Sequence, residues 1–207
     1  MVQWKIAIAA ALALGSAASA APEASFGKPI PAGKVAEVQK NVTGAPWSAV
    51  NGARNNCPVV YMLTSRTCPY CRAFFKDEFL PLTKKGVDVR LNYAPVDAEN
   101  QDMMAEIAYR RDIRVTLARQ TGRDLPAPPW RNGPVQRINA YIAMIDALQT
   151  TVGLSRAAGF TGYLPTFIWQ DKAGSWRVHS GYEPAMMPAF LASLPQAAPG
   201  CAMPAAG

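Results

Sequence analysis

The sequence predicts an α/β domain in which helices cover a mixed sheet, and three observations predict it. First, Val59-Val60-Tyr61-Met62-Leu63 is a continuous apolar run with turn-formers on both sides, which suits a strand buried on both faces. Second, Phe74, Phe75, Phe79 and Leu80 recur at helical spacing directly after Thr67-Cys68-Pro69-Tyr70-Cys71. Third, the remaining patterns complete the order strand, helix, strand, helical region, strand, strand, helix, which layers helices on a sheet.

Each element has its own signal. Pro69 fits the first turn of a helix, where its missing N–H loses no partner, and Pro81 marks that helix's end or a kink. Val87, Val89, Leu91 and Tyr93 alternate with polar residues, a strand signature. From Asp97 to Gly162 the pattern is helical, with an earlier helix near Asn100 to Arg119 and a Pro-rich stretch from Leu125 to Pro134. The clearest helix carries Val135, Ile138, Ile142, Ile145 and Leu148 on one face. Thr166 to Trp169 and Trp176 to His179 read as short strands joined by a turn at Lys172-Ala173-Gly174. Pro184 opens a last helix with Met187, Phe190, Leu191 and Leu194 on one face.

The chain has 207 residues and half of them are hydrophobic, enough for one domain with a real core. Its formal charge of +7 is concentrated in Arg110, Arg111, Arg114, Arg119, Arg123, Arg131 and Arg137. No nucleic-acid-binding motif accompanies these arginines, so they read as a solvated face and not as a nucleic-acid site. At the N-terminus, Lys5 precedes an apolar run from Ile6 to Leu14, and Ala18-Ser19-Ala20 precedes Ala21. Charge, short apolar stretch and small residues describe a secretory signal peptide. The run is shorter than the ~20 residues that span a bilayer. Residues 1–20 are therefore set aside, and the exported chain is expected to begin at Ala21. Residues 21–56 read as a leader with a short amphipathic stretch from Val35 to Val42. The domain is placed at 57–195, its helical insertion at about 98–162, and a Pro- and Ala-rich tail at 196–207.

Four cysteines remain: Cys57, Cys68, Cys71 and Cys201. An exported chain meets an oxidising compartment where disulfides persist, and four cysteines allow three connectivities. The close pair asks for a chemical explanation. A thiolate is the attacking species in disulfide exchange, and a helix N-terminus offers unpaired N–H groups to an anion. Cys68 would sit at such an N-terminus as the exposed nucleophile. One turn later, Cys71 would be the buried resolving thiol that releases a mixed disulfide. Zinc would need two further close ligands, and the one histidine, His179, stands alone in a strand, where it reads as a surface or packing residue. Haem attachment would need histidine directly after Cys71, where Arg72 stands. No metal or other cofactor is expected.

At this point the sequence resembles a family. Thr67-Cys68-Pro69-Tyr70-Cys71 with Phe74 and Phe75 is similar to the active-site helix of periplasmic thiol-disulfide oxidoreductases of the DsbC and DsbG type. Gly162-Tyr163-Leu164-Pro165-Thr166-Phe167 resembles their cis-proline loop, and Gly181-Tyr182-Glu183-Pro184 the turn before their last helix. The three motifs stand in the family's order over about residues 57–195. The resemblance implies a thioredoxin-like fold with a helical insertion between its CxxC half and its cis-Pro half. It implies a cis Pro165 lying against the CxxC, with Leu164, Pro165 and Thr67 contacting substrate chain and the Pro69-Tyr70 dipeptide tuning the pair. It also implies a periplasmic location, exported cysteine-containing proteins as clients, and a membrane or soluble redox partner. Three departures stand out. Residues 21–56 are shorter than the dimerisation domain of the family's isomerases. Leu164 stands where those isomerases often have threonine, and both features disfavour isomerase activity. Met62 replaces the buried acid that many thioredoxins place in the strand before the CxxC.

The thioredoxin arrangement also bears on the other two cysteines. It puts Cys57 at the end of its strand opposite the active site. The last helix would descend from Pro184 to emerge at that same end, from where Pro195 to Gly200 can carry Cys201 to Cys57. A structural Cys57–Cys201 disulfide is therefore expected. Two other classes stay open on sequence: a thioredoxin-fold binding module for envelope or conjugation assembly, with the arginine-bearing insertion as its contact surface, and a thiol-based metal carrier.

Overall fold

The protein is seen in a computed structural model that describes residues 26–49, 57–94, 103–108 and 134–201. The segment read as a signal peptide at 1–20, the arginines from Arg110 to Arg131 and the tail beyond residue 201 lie outside the described residues. In chain order the elements are β1 (Lys28–Pro29), α1 (Ala32–Gly44), β2 (Ser48–Ala49), β3 (Val59–Thr64), α2 (Pro69–Asp77), α3 (Phe79–Lys84), β4 (Asp88–Tyr93), α4 (Pro134–Ala158), β5 (Thr166–Gln170), β6 (Trp176–Ser180) and α5 (Met187–Ser193). A single 3-10 turn, Pro184–Met186, leads into α5, and residues 103–108 are helical.

The strands form one sheet in the order β1-β6-β5-β3-β4-β2. Among the described strands only β3 and β4 pair in parallel; β5 lies antiparallel on the other side of β3, and β6 antiparallel to β5. A βαβ unit followed by an antiparallel hairpin and a closing helix is the thioredoxin-like fold, and α4 is its helical insertion between β4 and β5.

β3 is central, so its residues alternate between two cores, as the apolar run demands. Val60 and Met62 join Phe74, Phe75 and Phe79 of α2 and α3, Phe167 and Trp169 of β5, and Phe190 of α5. Leu63 points the other way, to Val38 and Val42 of α1, Leu154 of α4 and Ile168 of β5. The polar positions of β4 face protein too: Asn92 is fully buried and its Nδ2 donates to Thr151 Oγ1 of α4 at 3.2 Å. Asp88 pairs with Arg90 at 2.9 Å.

The segment read as a leader belongs to the domain. β1 pairs with β6 and β2 with β4, so it supplies both edges of the sheet. α1 packs on α4, and a Cβ at Gly153 would come within 2.7 Å of Asn41 Oδ1, so glycine there sets how closely the helices approach. Ile30, Val38, Val42 and Trp47 fill the second core, which would otherwise be open to water on that side. The face expected for the insertion helix also needs correcting. Val135, Ile138 and Ile142 are exposed, and burial begins later, at Ala147, Thr151, Leu154 and Ala158. The helix meets α1 and the sheet through its C-terminal half, whose small residues admit close packing.

Pro81 acts earlier than its own position. It cannot donate to the carbonyl of Asp77, so the helix breaks there and Glu78 leaves helical geometry (φ −121°), separating α2 from α3. At the pole where β3 begins, Cys57 and Cys201 form a disulfide with Cα atoms 5.5 Å apart. The β5–β6 turn lies at the same pole, held by the buried Asp171. Its carboxylate accepts from the amides of Ala173 and Ser175, both at 2.9 Å, and from Arg177 Nε at 2.7 Å. The disulfide spans a sequence separation of 144 residues. On chain entropy, closing a loop of that size restricts the unfolded state by about 4–5 kcal/mol. The double substitution Cys57→Ser/Cys201→Ser should lower the urea-unfolding free energy by about 2–5 kcal/mol. A loss below about 1 kcal/mol would contradict a stabilising role.

Candidate active site

Cys68 is the N-cap of α2. Its φ and ψ of −75° and 118° are extended, and its Sγ accepts the Cys71 amide at 3.2 Å. A cap oxygen ordinarily accepts this bond from the third helical residue; here a sulfur does. Pro69 takes the first helical position. The approach from β3 is a tight turn built on Ser65. Its hydroxyl hydrogen-bonds with Thr67 Oγ1 at 3.0 Å and accepts from the Thr67 amide at 3.3 Å, while its carbonyl accepts from the Cys68 amide at 3.3 Å. The Thr67 hydroxyl is thus engaged inside this turn.

The second half of the site comes from the loop before β5. The Leu164–Pro165 peptide bond is cis. The Cys68 thiol donates to the Leu164 carbonyl at 3.4 Å, across 96 residues of sequence. The loop is anchored from behind. Gly181 N donates to Pro165 O at 2.8 Å, Thr166 Oγ1 donates to Tyr163 O at 2.8 Å, and Thr166 and Ser180 share a hydroxyl contact at 3.1 Å. Cys68, Leu164 and Pro165 therefore converge, with Thr67 at the rim.

The two free thiols differ in environment. Cys68 is half-buried and Cys71 is fully buried. Burial pushes the Cys71 thiol up, and its contact with Cys68 adds to this; Thr64 and the Ser65 backbone act in the opposite sense. Met62 is packed into the core beneath the site, and no acid among the described residues acts on Cys71. Beside the pair lies a groove of about 410 Å³, lined by Tyr70, Tyr163, Leu164, His179 and Glu183 among others. Tyr70 and Tyr163 are 60% and 72% exposed, so two solvent-exposed aromatic rings line the groove beside Cys68. His179 sets its ring 4.6 Å from Phe26, and burial, opposed by Glu183, holds its pKa below the usual histidine range.

Two contacts had no clear signal in the sequence. Tyr182 donates to Glu78 Oε1 at 3.4 Å and packs on Phe74, tying the turn before α5 to the break between α2 and α3. Burial first, then the Glu78 and Asp77 charges, push its hydroxyl up to about 12. Thr64, the last residue of β3, is buried beside Cys71; the only hint was its place just ahead of the CxxC. Among the described residues, no group of three or more metal-ligating side chains converges, and no helix is long and apolar enough to cross a membrane.

No protein-family model and no curated protein matches the sequence. Among solved structures, the chain is similar to the catalytic domain of Proteus mirabilis ScsC, at 16% identity and a TM-score of 0.49. The superposition covers 77% of this chain and 95% of that one.

The raised Cys71 value has a signed consequence. The folded protein keeps the thiol protonated where an unfolded chain would ionise near 9.0. This stabilisation is fully present below that pH and fades as pH rises toward the folded value. Chemical unfolding should show Cys68→Ser losing more stability between pH 8 and pH 10 than Cys68→Ser/Cys71→Ser does. Equal losses would contradict the burial assigned to this thiol.

Proposed function

We propose that this chain is an exported, periplasmic thiol-disulfide oxidoreductase that exchanges disulfides with exported cysteine-containing proteins. One observation carries the reading: a half-exposed sulfur held between a helix N-terminal amide and the carbonyl of a cis-proline loop, with a second thiol buried beneath it. In reduction of a client, the Cys68 thiolate attacks a client disulfide, forming a mixed disulfide and expelling one client thiolate. Cys71, deprotonated, attacks Cys68 Sγ. The Cys68–Cys71 bond forms, the client sulfur leaves, and that sulfur takes up a proton in place of the one Cys71 gave up. Oxidation of a client runs the same steps backwards. Sulfur alone carries the two electrons, so no cofactor is needed; a membrane or soluble redox partner restores the resting state.

The groove fits this role. Leu164 lies outside β5 and next to Cys68, so an extended client segment can pair with its backbone as an added strand. Tyr70 and Tyr163 offer apolar surface to residues flanking the client cysteine. Simple oxidation or reduction is favoured over isomerisation, on the short N-terminal segment and on Leu164. A second reading, a module that holds clients without cycling its thiols, draws on the exposed apolar residues Val135, Ile138, Tyr141 and Ile142 of α4.

Insulin reduction and capture of clients separate the two. Cys68→Ser should abolish turnover, and Cys71→Ser should accumulate mixed disulfides visible on non-reducing gels, because release is blocked. Activity retained by Cys68→Ser would overturn the assigned roles, and client binding unchanged in both variants would favour the second reading.

A further inference from the structure

The resolving step poses a physical problem. Cys71 is fully buried, and burial disfavours the thiolate that must attack Cys68. Among the described residues, the groups acting on its sulfur are Cys68, the Thr64 hydroxyl and the Ser65 backbone, with no Asp, Glu, Lys, Arg or His. The strand position that could supply an acid holds Met62, which is packed in the core. Something other than a buried carboxylate must make the thiolate accessible.

Thr64 is placed to do so. It ends β3, immediately before the turn that leads to Cys68. Its backbone is engaged in the sheet: it pairs with Tyr93 in the ladder, and its carbonyl accepts from the Ala94 amide at 2.8 Å. Its side chain is fully buried, and in the dithiol state Oγ1 makes no hydrogen bond of ordinary geometry, its one interaction being a weak one with the Cys71 thiol. A buried hydroxyl so weakly paired costs stability, and valine would fill the same volume without that cost. The sulfur beside it is Cys71, toward which it acts to favour the ionised form. The hydroxyl is only weakly engaged while Cys71 is protonated, and it gains a strong, charge-assisted acceptor once Cys71 ionises.

We propose that Thr64 is a catalytic residue of the release step, donating a hydrogen bond to the Cys71 thiolate as it attacks the Cys68 mixed disulfide. Thr64 neither gains nor loses its proton overall. Cys71 gives up its own proton to solvent, the Cys68–Cys71 bond forms, the bond from Cys68 to the leaving sulfur breaks, and the electron pair departs with that sulfur. The inference rests on Cys68 being the nucleophile, as proposed above, and its test needs no protein client.

Reduced protein mixed with excess dithiobis(nitrobenzoate) releases thionitrobenzoate in two phases. The first reports attack by Cys68, the second the resolving attack by Cys71. Thr64→Val should leave the first phase within about twofold. It should slow the second about tenfold at pH 7 and move its pH midpoint up by about one unit, since one unit is a tenfold change in thiolate below the midpoint. Thr64→Ser should restore both. If valine prevents folding, Thr64→Ala against Thr64→Ser makes the same comparison, because only serine keeps the donor. A second phase unchanged in rate and midpoint, both phases slowed alike, or no rescue by serine would each overturn the proposal. Normal client turnover with an unchanged second phase would sink the role of Thr64 alone. The expected second-phase behaviour without any exchange on proteins would uphold that role and sink the oxidoreductase reading.

Discussion

The amide of Cys71 must reach the sulfur of Cys68, and most of the structure serves that contact. It fixes Cys68 as a helix cap, so α2 has to begin where β3 ends, within the short turn that Ser65 builds. It fixes the direction of α2, whose Phe74 and Phe75 then lie on Val60, Met62 and Phe167. Phe74 touches Phe75, Phe167 and Tyr182 with ring centroids 5.0–5.9 Å apart, so the helix is gripped from the sheet and from the turn before α5. The cis-proline loop is held separately, through β6, by the bond from Gly181 to Pro165. Cys68 and the loop thus meet at 3.4 Å as the ends of two independently braced elements.

The two cysteine pairs are kept apart by the same strand. Cys57 precedes β3 and Cys68 follows it, and six strand residues span roughly 20 Å. The Cys57–Cys201 bond therefore closes the pole away from the free thiols Cys68 and Cys71, together with the Asp171 turn and the bond from Lys172 N to Ser193 O at 2.9 Å. An exchange-competent thiol and a structural disulfide can share one chain when the fold keeps them at opposite ends of a rigid sheet.

How legible this was depended on how local each signal is. β3 was readable because burial on both faces writes a continuous apolar run, and α2 because Pro69 and the phenylalanines mark its start and its inner face. The β5–β6 hairpin was readable from its turn residues. β1 and β2 were not: a two-residue strand has no period, and its pairing is decided by the sheet edge it meets. In α4 the periodicity of Val135, Ile138 and Ile142 identified residues sharing a face, but periodicity does not say which stretch of a helix another element covers. The half that packs uses small residues, Ala147, Gly153 and Ala158, which hydrophobic counting undervalues. Within the site, Cys68 and Cys71 stood out by spacing. Thr64 and the pair Tyr182–Glu78 did not, because a buried hydroxyl or a contact across 104 residues leaves no pattern in sequence.

The central claim is that Cys68 and Cys71 form one reversible redox couple while Cys57 and Cys201 stay bonded. Equilibrating the protein across glutathione buffers, quenching with a mass-adding thiol reagent and mapping the labelled cysteines tests it directly. The account predicts a single two-electron transition in which Cys68 and Cys71 gain label together and Cys57 and Cys201 gain none. No transition at Cys68 and Cys71, or a transition in which all four cysteines titrate together, would contradict it.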